Sequence, residues 1–284
     1  MKQKMTLGLL VSFLITLTAC GGGGGGGNNS GDTTTSYTGV TTAAQIDTNN
    51  SKDIAGGATS MGTFGGGNVV ASVDTGTSEI NTGTSIISRA ASKAILDKLN
   101  SPNIATVGTV VNDSATGACG GTLSISMDIN DTTHTFNGSL SFNSYCEDSV
   151  TVTGSATITG QVNASATQAS FKMTIGSLLV KEQKSGSVYK IENYVIDITA
   201  NSSTITVSVS GRFYHPQYGY VSVTTPYLLY YSISGAWPYT GSVKVAEVGG
   251  TNSATLTAMS STQYQLVTNI GGKVTLTTGN WTDL

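Results

Sequence analysis

The sequence predicts an all-β protein built as an antiparallel meander, a curled sheet, half-barrel or barrel, with one N-terminal amphipathic helix packed on it. After about residue 105, apolar residues alternate with Ser and Thr in short segments that Gly or Asn/Asp clusters separate. A period of two is typical of half-buried strands. The links between the segments are too short for helical crossovers, so we expect neighbouring strands to run antiparallel.

The composition restricts the classes of function. The chain has 284 residues and a formal net charge of −3, and only 10% of its residues are charged, whereas soluble domains carry about 25%. Because nucleic-acid binding needs clustered Lys and Arg, we expect no nucleic-acid partner. The chain contains only 2 histidines. It also lacks the motifs of hydrolases, zinc proteases and nucleotide sites, so we predict no cofactor, no metal, no catalytic residue and no enzyme.

The first nineteen residues have the pattern of a secretory signal peptide. A basic start is followed by an uncharged run over residues 6–19, which is shorter than the roughly 20 residues needed to cross a bilayer. The segment Leu-Thr-Ala-Cys at positions 17–20 resembles the lipobox of bacterial lipoproteins. The resemblance implies that Cys20 carries a diacylglycerol and further acyl chain, and two or more chains give a stable anchor. An ordinary signal peptide with a chance cysteine is the alternative.

The sequence that follows Cys20 predicts a tether and a location. Gly21 stands where that family often has Asp for inner-membrane retention, so the resemblance implies the outer membrane and leaves its periplasmic or exposed side open. Residues 20–78 are rich in Gly, Asn, Ser and Thr. They offer too little apolar area to offset the entropy of ordering, which predicts a flexible tether. An extra edge strand over 64–73 is the alternative, and one β-rich domain is expected over 79–284.

A helix is predicted at about 84–99. Apolar residues recur there in steps of three or four, although Lys98 intrudes on the stripe. We expect this stripe to pack on the sheet, and a helix on the membrane surface is the alternative. The stripe consists of Ile87, Ala91, Ala94, Ile95 and Leu99.

Twelve segments are strand candidates. Their hydrophobic alternation and the turn residues between them define the ranges. The candidates are 120–130, 134–144, 150–162, 169–182, 187–199, 203–214, 218–225, 227–234, 240–248, 252–259, 262–269 and 272–278.

Two cysteines predict a structural disulfide. With Cys20 used for lipid, Cys119 and Cys146 form an even pair in an oxidising compartment. If Thr132 and Thr133 form the tip of a hairpin, Cys119 lies opposite Cys146. The same register aligns the apolar residues on one face, as a two-residue period requires. The aligned pairs are Leu123 with Phe142, Ile125 with Leu140, Met127 with Gly138, and Ile129 with Phe136.

The polar residues at this hairpin tip favour a turn over a metal site. Asp128, Asn130 and Asp131 have a faint similarity to a calcium loop, but the regular oxygen spacing and the distal bidentate Glu are missing. An Asx-type turn is the favoured interpretation. His134 is expected to be a solvated turn residue.

An aromatic segment over residues 211–239 supplies the candidate ligand contacts. The run GRFYHPQYGYVSVTTP is similar to a segment of Gram-negative lipoproteins of unknown function, which implies a family and a location but no activity. Parity along the strands places Tyr218 and Tyr220 away from the core side, and these two with Trp237 are the candidates for an exposed contact. Such rings can stack on sugars or other flat ligands. Ordinary cross-strand packing is the competing interpretation.

These observations predict an outer-membrane-anchored lipoprotein with a non-catalytic binding or structural role in the cell envelope. The expected partners are the membrane, through the lipid anchor, and an envelope protein, a glycan or a lipid. A polysaccharide-binding module is one alternative. The other is a half-barrel carrier that shelters a lipid or another apolar ligand between the helix and the sheet.

Overall fold

The computed structural model describes residues 35–62, 109–130, 132–147, 150–162, 168–201, 203–232 and 237–284. In these ranges twelve strands form one antiparallel sheet, in which every strand pairs with its neighbours in sequence. The sheet is an open meander that does not close into a barrel, and one short helix packs on it. The predicted all-β meander is therefore confirmed.

The elements follow in chain order. The helix is α1, Ser51–Gly62; the strands are β1, Thr109–Thr116; β2, Thr122–Asn130; β3, Thr135–Glu147; β4, Val150–Val162; β5, Gln168–Glu182; β6, Val188–Asn201; β7, Thr204–His215; β8, Gly219–Ser232; β9, Thr240–Ala246; β10, Ser253–Ala258; β11, Gln263–Ile270; and β12, Lys273–Asn280. A 3₁₀ turn, Trp281–Asp283, ends the chain.

The alternation of apolar and hydroxyl residues separates an inner face from an outer face. Ile158 on β4, Met173 on β5 and Ile196 on β6 have no exposed surface. Their neighbours along each strand, such as Thr157 and Thr159, point the other way and are exposed. Burial of the inner face supplies the main driving force for folding.

The predicted register of the first hairpin is confirmed at the four apolar pairs. Cys119 and Cys146 form a disulfide with a Cα–Cα distance of 5.0 Å. The regular ladder ends where Thr122 faces Asn143. Beyond it, the Cys119 N–H donates to the Cys146 carbonyl at 3.1 Å, which keeps the two cysteines opposite each other.

The hairpin tip is an Asx-type turn. The Asn130 side-chain oxygen accepts hydrogen bonds from the backbone N–H groups of Thr132 and Thr133 at 3.0 and 3.1 Å. His134 is exposed and has a φ of 54°. The side chain of Asn130 therefore serves the turn.

The prediction of a tether up to residue 78 is wrong for residues 37–62. Ala44 N–H donates to the Tyr220 carbonyl at 2.9 Å and Tyr220 N–H donates to the Thr42 carbonyl at 3.0 Å, so this segment pairs with the start of β8. Ile54 on α1 is fully buried. The composition suggested that this segment has too little apolar area to become ordered. The inner face of the sheet supplies the apolar surface on which the segment packs.

Four predictions fall on residues outside the described ranges. They are the signal peptide over 1–19, acylation of Cys20, the helix at about 84–99 and the alternative edge strand at 64–73.

Two strand predictions are wrong. β1, Thr109–Thr116, pairs along its whole length with β2 and was not among the candidates. The segments 218–225 and 227–234 were predicted as two strands separated at Pro226. They form the single strand β8 up to Ser232, with irregular pairing around the proline.

Candidate ligand-binding surface

The predicted contact residue Tyr218 lies at the turn between β7 and β8. Its ring stacks on the ring of His215 with a centroid distance of 4.5 Å and an interplanar angle of 27°. Its hydroxyl donates to Asp53 of α1 at 3.4 Å. Tyr218 thus joins the turn to the helix, and it is half-buried.

His215 is held neutral in this cluster. The Gln217 N–H donates to its Nδ1 at 3.2 Å, so Nδ1 acts as an acceptor. Burial lowers the pKa of His215 to about 4, against a smaller opposing effect of the Asp53 charge. Because burial disfavours the imidazolium, His215 stays uncharged at neutral pH and serves as a packing residue.

Tyr189 completes the buried part of the same cluster. Its ring meets the edge of His215 at 5.5 Å and stacks on Phe213 at 6.0 Å. Burial, followed by the charges of Glu182 and Asp53, raises the pKa of Tyr189 to about 12. The phenol therefore remains protonated near neutral pH.

Tyr220, the second predicted contact, lies in a different cluster on the outer face. Its ring lies 5.0 Å from Tyr214, directly opposite on β7. The Arg212 guanidinium lies over the Tyr220 ring at 5.4 Å. This arrangement gives Tyr220 a cation–π partner within the protein.

A carboxylate ties this outer cluster together. Glu192 accepts hydrogen bonds from Lys190 and from the Tyr214 hydroxyl, both at 2.6 Å. These two hydrogen bonds are the largest causes of a lowered pKa for Glu192. The carboxylate is ionised at neutral pH and compensated by Lys190 and Arg212.

Trp237, the third predicted contact, packs near the C-terminal end of the chain. Its ring stacks on Trp281 with a centroid distance of 5.1 Å and an interplanar angle of 8°. Trp281 is buried, and its Nε1 donates to the Ser260 carbonyl at 3.0 Å. The structure therefore distributes Tyr218, Tyr220 and Trp237 over three separate clusters, each with partners inside the protein.

Among the described residues, the exposed aromatic side chains lie farther along β8 and just before β9. Tyr227 is 74% exposed and Tyr239 is 41% exposed. The Tyr239 ring lies 6.4 Å from that of Tyr230, and the Tyr239 N–H donates to the Tyr230 carbonyl at 2.9 Å. Tyr227, Tyr230 and Tyr239 are called the aromatic patch below, and Leu228, 46% exposed, lies in the same stretch of β8.

A bulge in β8 builds the aromatic patch. The register shifts between Val207 and Ser210 on one side of β8, and on both sides of Tyr227 in its pairing with β9. Pro226 lies in the bulge and has no N–H to offer. On β9, Gly241 has a φ of 108°, and a Cβ there would lie 2.2 Å from the Leu228 carbonyl oxygen. Glycine thus permits the close approach of the two strands at the bulge.

The outer face also carries rows of hydroxyl and amide side chains that run across the strands. One row consists of Gln161, Ser170, Thr199 and Thr206, each directly opposite the next on β4 to β7. Thr206 in turn lies opposite Tyr230 of the aromatic patch. These four residues with Tyr230 are called the polar row below.

A shallow groove of about 300 Å³ lies along this row. Gln161, Ser170 and Thr199 line one side, and Thr159, Lys172 and Asp197 line the other. Lys172 and Asp197 face each other at 3.5 Å and compensate each other's charge. The side chains along its two edges are polar, and the two charged side chains among them compensate each other.

Sequence reasoning missed the aromatic patch because it treated Pro226 as a strand end. Tyr227, Tyr230 and Tyr239 were part of the aromatic segment, but parity cannot be carried across a bulge. The Thr-Thr-Pro-Tyr sequence at 224–227 was the available signal. A proline between two strong strand segments is typical of a bulge or an edge position.

In the described ranges, no group of three His, Cys, Asp or Glu side chains could hold a metal ion. No helix in those ranges is long and apolar enough to span a bilayer. Comparisons with protein-family models, with curated proteins and with solved structures find no match to this chain.

Proposed function

We propose that this chain is an outer-membrane-anchored lipoprotein of the cell envelope that binds its partner without catalysis, through the outer face of the sheet. The single observation that carries the binding role is the exposure of the aromatic patch. Tyr218, Tyr220 and Trp237 each have a ring partner within the protein and are only partly accessible, whereas Tyr227 and Tyr239 are 74% and 41% exposed. Exposed Tyr side chains with an apolar face and a hydroxyl are typical of ligand contacts.

The anchoring part of the proposal rests on the lipobox-like segment that ends at Cys20. The Cys119–Cys146 disulfide supports export, because disulfides persist in oxidising compartments. Anchoring would keep the chain among the polymers of the envelope.

The packing of the inner face favours a ligand that binds on the surface of the protein over a ligand enclosed within it. Leu140, Met173 and Ile196 are completely buried. A carrier of lipid would need open apolar space between its layers, whereas two shallow grooves of about 300 and 370 Å³ lie between rows of outer-face side chains such as Ser170 and Ser139. We therefore favour a surface binding module over a half-barrel carrier.

The test is binding of the purified, acylated chain in detergent micelles to arrays of glycans and envelope lipids. Wild type is compared with a Tyr227→Ala/Tyr239→Ala variant and with a matched control, Met259→Ala/Leu276→Ala, which removes exposed apolar side chains elsewhere. We expect binding that the first variant loses and the control keeps. Binding that persists in a folded Tyr227→Ala/Tyr239→Ala variant would reject the patch as the site.

A further inference from the structure

We infer that the polar row and the aromatic patch together bind an extended, neutral polysaccharide that lies across the strands. This inference rests on the proposed function and names its ligand class. It goes beyond that function because it assigns four residues on β4 to β7, all outside the aromatic segment, to the same site.

The first argument is the continuity of the row. Gln161 faces Ser170, Ser170 faces Thr199, Thr199 faces Thr206, and Thr206 faces Tyr230. Neighbouring strands lie about 4.8 Å apart, so from β4 to β8 the row covers roughly 19 Å. That length matches several sugar rings of an extended chain.

The second argument is the side to which these residues point. Their strand neighbours Phe171, Ile198 and Val207 pack with the core, so Ser170, Thr199 and Thr206 face outward. Because the inner side chains turn away, the backbone forms the floor of the groove between this row and the next. A linear polymer can lie in such a groove without displacing any side chain.

The third argument is chemical complementarity. Each Ser or Thr hydroxyl can donate and accept a hydrogen bond, as can each hydroxyl of a sugar. The polar row carries no charge, and the only charged residues lining the groove, Lys172 and Asp197, compensate each other. A neutral glycan therefore has no charged groups that lose their hydration on binding. The charged groups of an acidic glycan would lose water without gaining a net positive partner in the groove.

The fourth argument is that the polar row ends at the aromatic patch. Tyr230 continues the row and contacts Tyr239 at a ring distance of 6.4 Å. Aromatic rings can stack on the apolar face of a sugar, while hydroxyls flanking the ring fix its orientation. The row thus supplies hydrogen bonds along the chain, and the aromatic patch supplies stacking at one end.

The experiment measures calorimetric binding of unbranched neutral di-, tetra- and hexasaccharides of several linkages, with an alginate hexamer as the acidic comparison. The acylated full chain in micelles is used throughout. The decisive variant is Thr199→Val/Thr206→Val, which keeps side-chain shape and removes two hydroxyls from the row. Its matched control is Thr157→Val/Thr174→Val, a facing pair one row away from the groove.

We expect affinity for at least one neutral series to rise from the disaccharide to the hexasaccharide. Thr199→Val/Thr206→Val should weaken hexasaccharide binding about tenfold, and the control should leave it unchanged. No neutral hexasaccharide binding, preference for alginate, or equal effects of the two variants would overturn the inference. If the row variant binds normally while Tyr227→Ala/Tyr239→Ala does not, the inference fails and the proposed function stands.

Discussion

The hydroxyl of Thr225 on β8 lies 2.8 Å from the backbone nitrogen of Val209 and 3.2 Å from its carbonyl oxygen. It accepts from the N–H and donates to the carbonyl. The side chain therefore replaces the backbone partner that β7 loses where the register of β8 shifts. This substitution lets β8 continue past Pro226 and present Tyr227 to solvent.

Thr225→Val is expected to destabilise the fold by about 1–3 kcal/mol. The variant leaves both backbone groups of the buried Val209 without this partner, and an unsatisfied buried polar group costs that amount. Urea unfolding measures the change. The control is Thr224→Val at the exposed neighbouring position, which should stay within about 0.5 kcal/mol of wild type. Equal stabilities of the two variants would contradict the role of Thr225.

Removal of the disulfide in Cys119→Ala/Cys146→Ala is expected to lower the free energy of unfolding by about 3 kcal/mol. The bond joins residues separated by 27 positions, and its loss lets the unfolded chain explore more conformations. Denaturant unfolding of the exported protein provides the measurement. A reductant should lower the stability of wild type and leave the variant unchanged. Wild type that is insensitive to the reductant would contradict the prediction.

Stability is expected to fall as the pH drops from about 6.5 towards 5, because of His215. Its pKa is lowered from 6.5 to about 4 in the folded state. The unfolded state therefore binds more protons in this window, and the free energy of unfolding rises with pH. The expected result is a flatter pH profile for His215→Gln than for wild type. An unchanged slope in His215→Gln would show that other groups govern the window.

The exported protein is expected to start at Cys20 and to carry acyl chains there. Mass spectrometry of its N-terminal peptide should show a thioether-linked diacylglycerol, and Cys20→Ser should be released from the membrane fraction. An unmodified thiol at position 20 would contradict the anchoring proposal and leave the binding surface untouched.

Local pattern was sufficient to predict the strand-rich part of the fold. The first hairpin was assigned in its correct register because Ile125 and Leu140 must share a face and the cysteines must meet. The sequence pattern was also sufficient for the Asx turn at Asn130. The oxygen of a short side chain can accept hydrogen bonds from backbone N–H groups two or three residues later in the chain.

The parts that pattern missed depend on tertiary contacts. The helix α1 contains Gly56 and Gly57, and glycine disfavours helix by about 1 kcal/mol per residue. A Cβ at Gly57 would lie 2.9 Å from the Phe213 ring, so the glycine permits close packing that the local sequence does not reveal. The aromatic patch was missed for a related reason. The bulge at Thr225 depends on a contact with Val209 of another strand, and the local sequence does not show that contact.

Hydrogen-exchange mass spectrometry tests the central claim most directly. The acylated chain is compared free and saturated with the neutral hexasaccharide that it binds most tightly. We predict slower exchange in peptides that cover Tyr227 to Ser232 and Tyr239 to Ser242, and no change in α1 or in the turn at His215 to Tyr218. Protection confined to α1 and that turn, with the aromatic patch unchanged, would contradict binding through the outer face of the sheet.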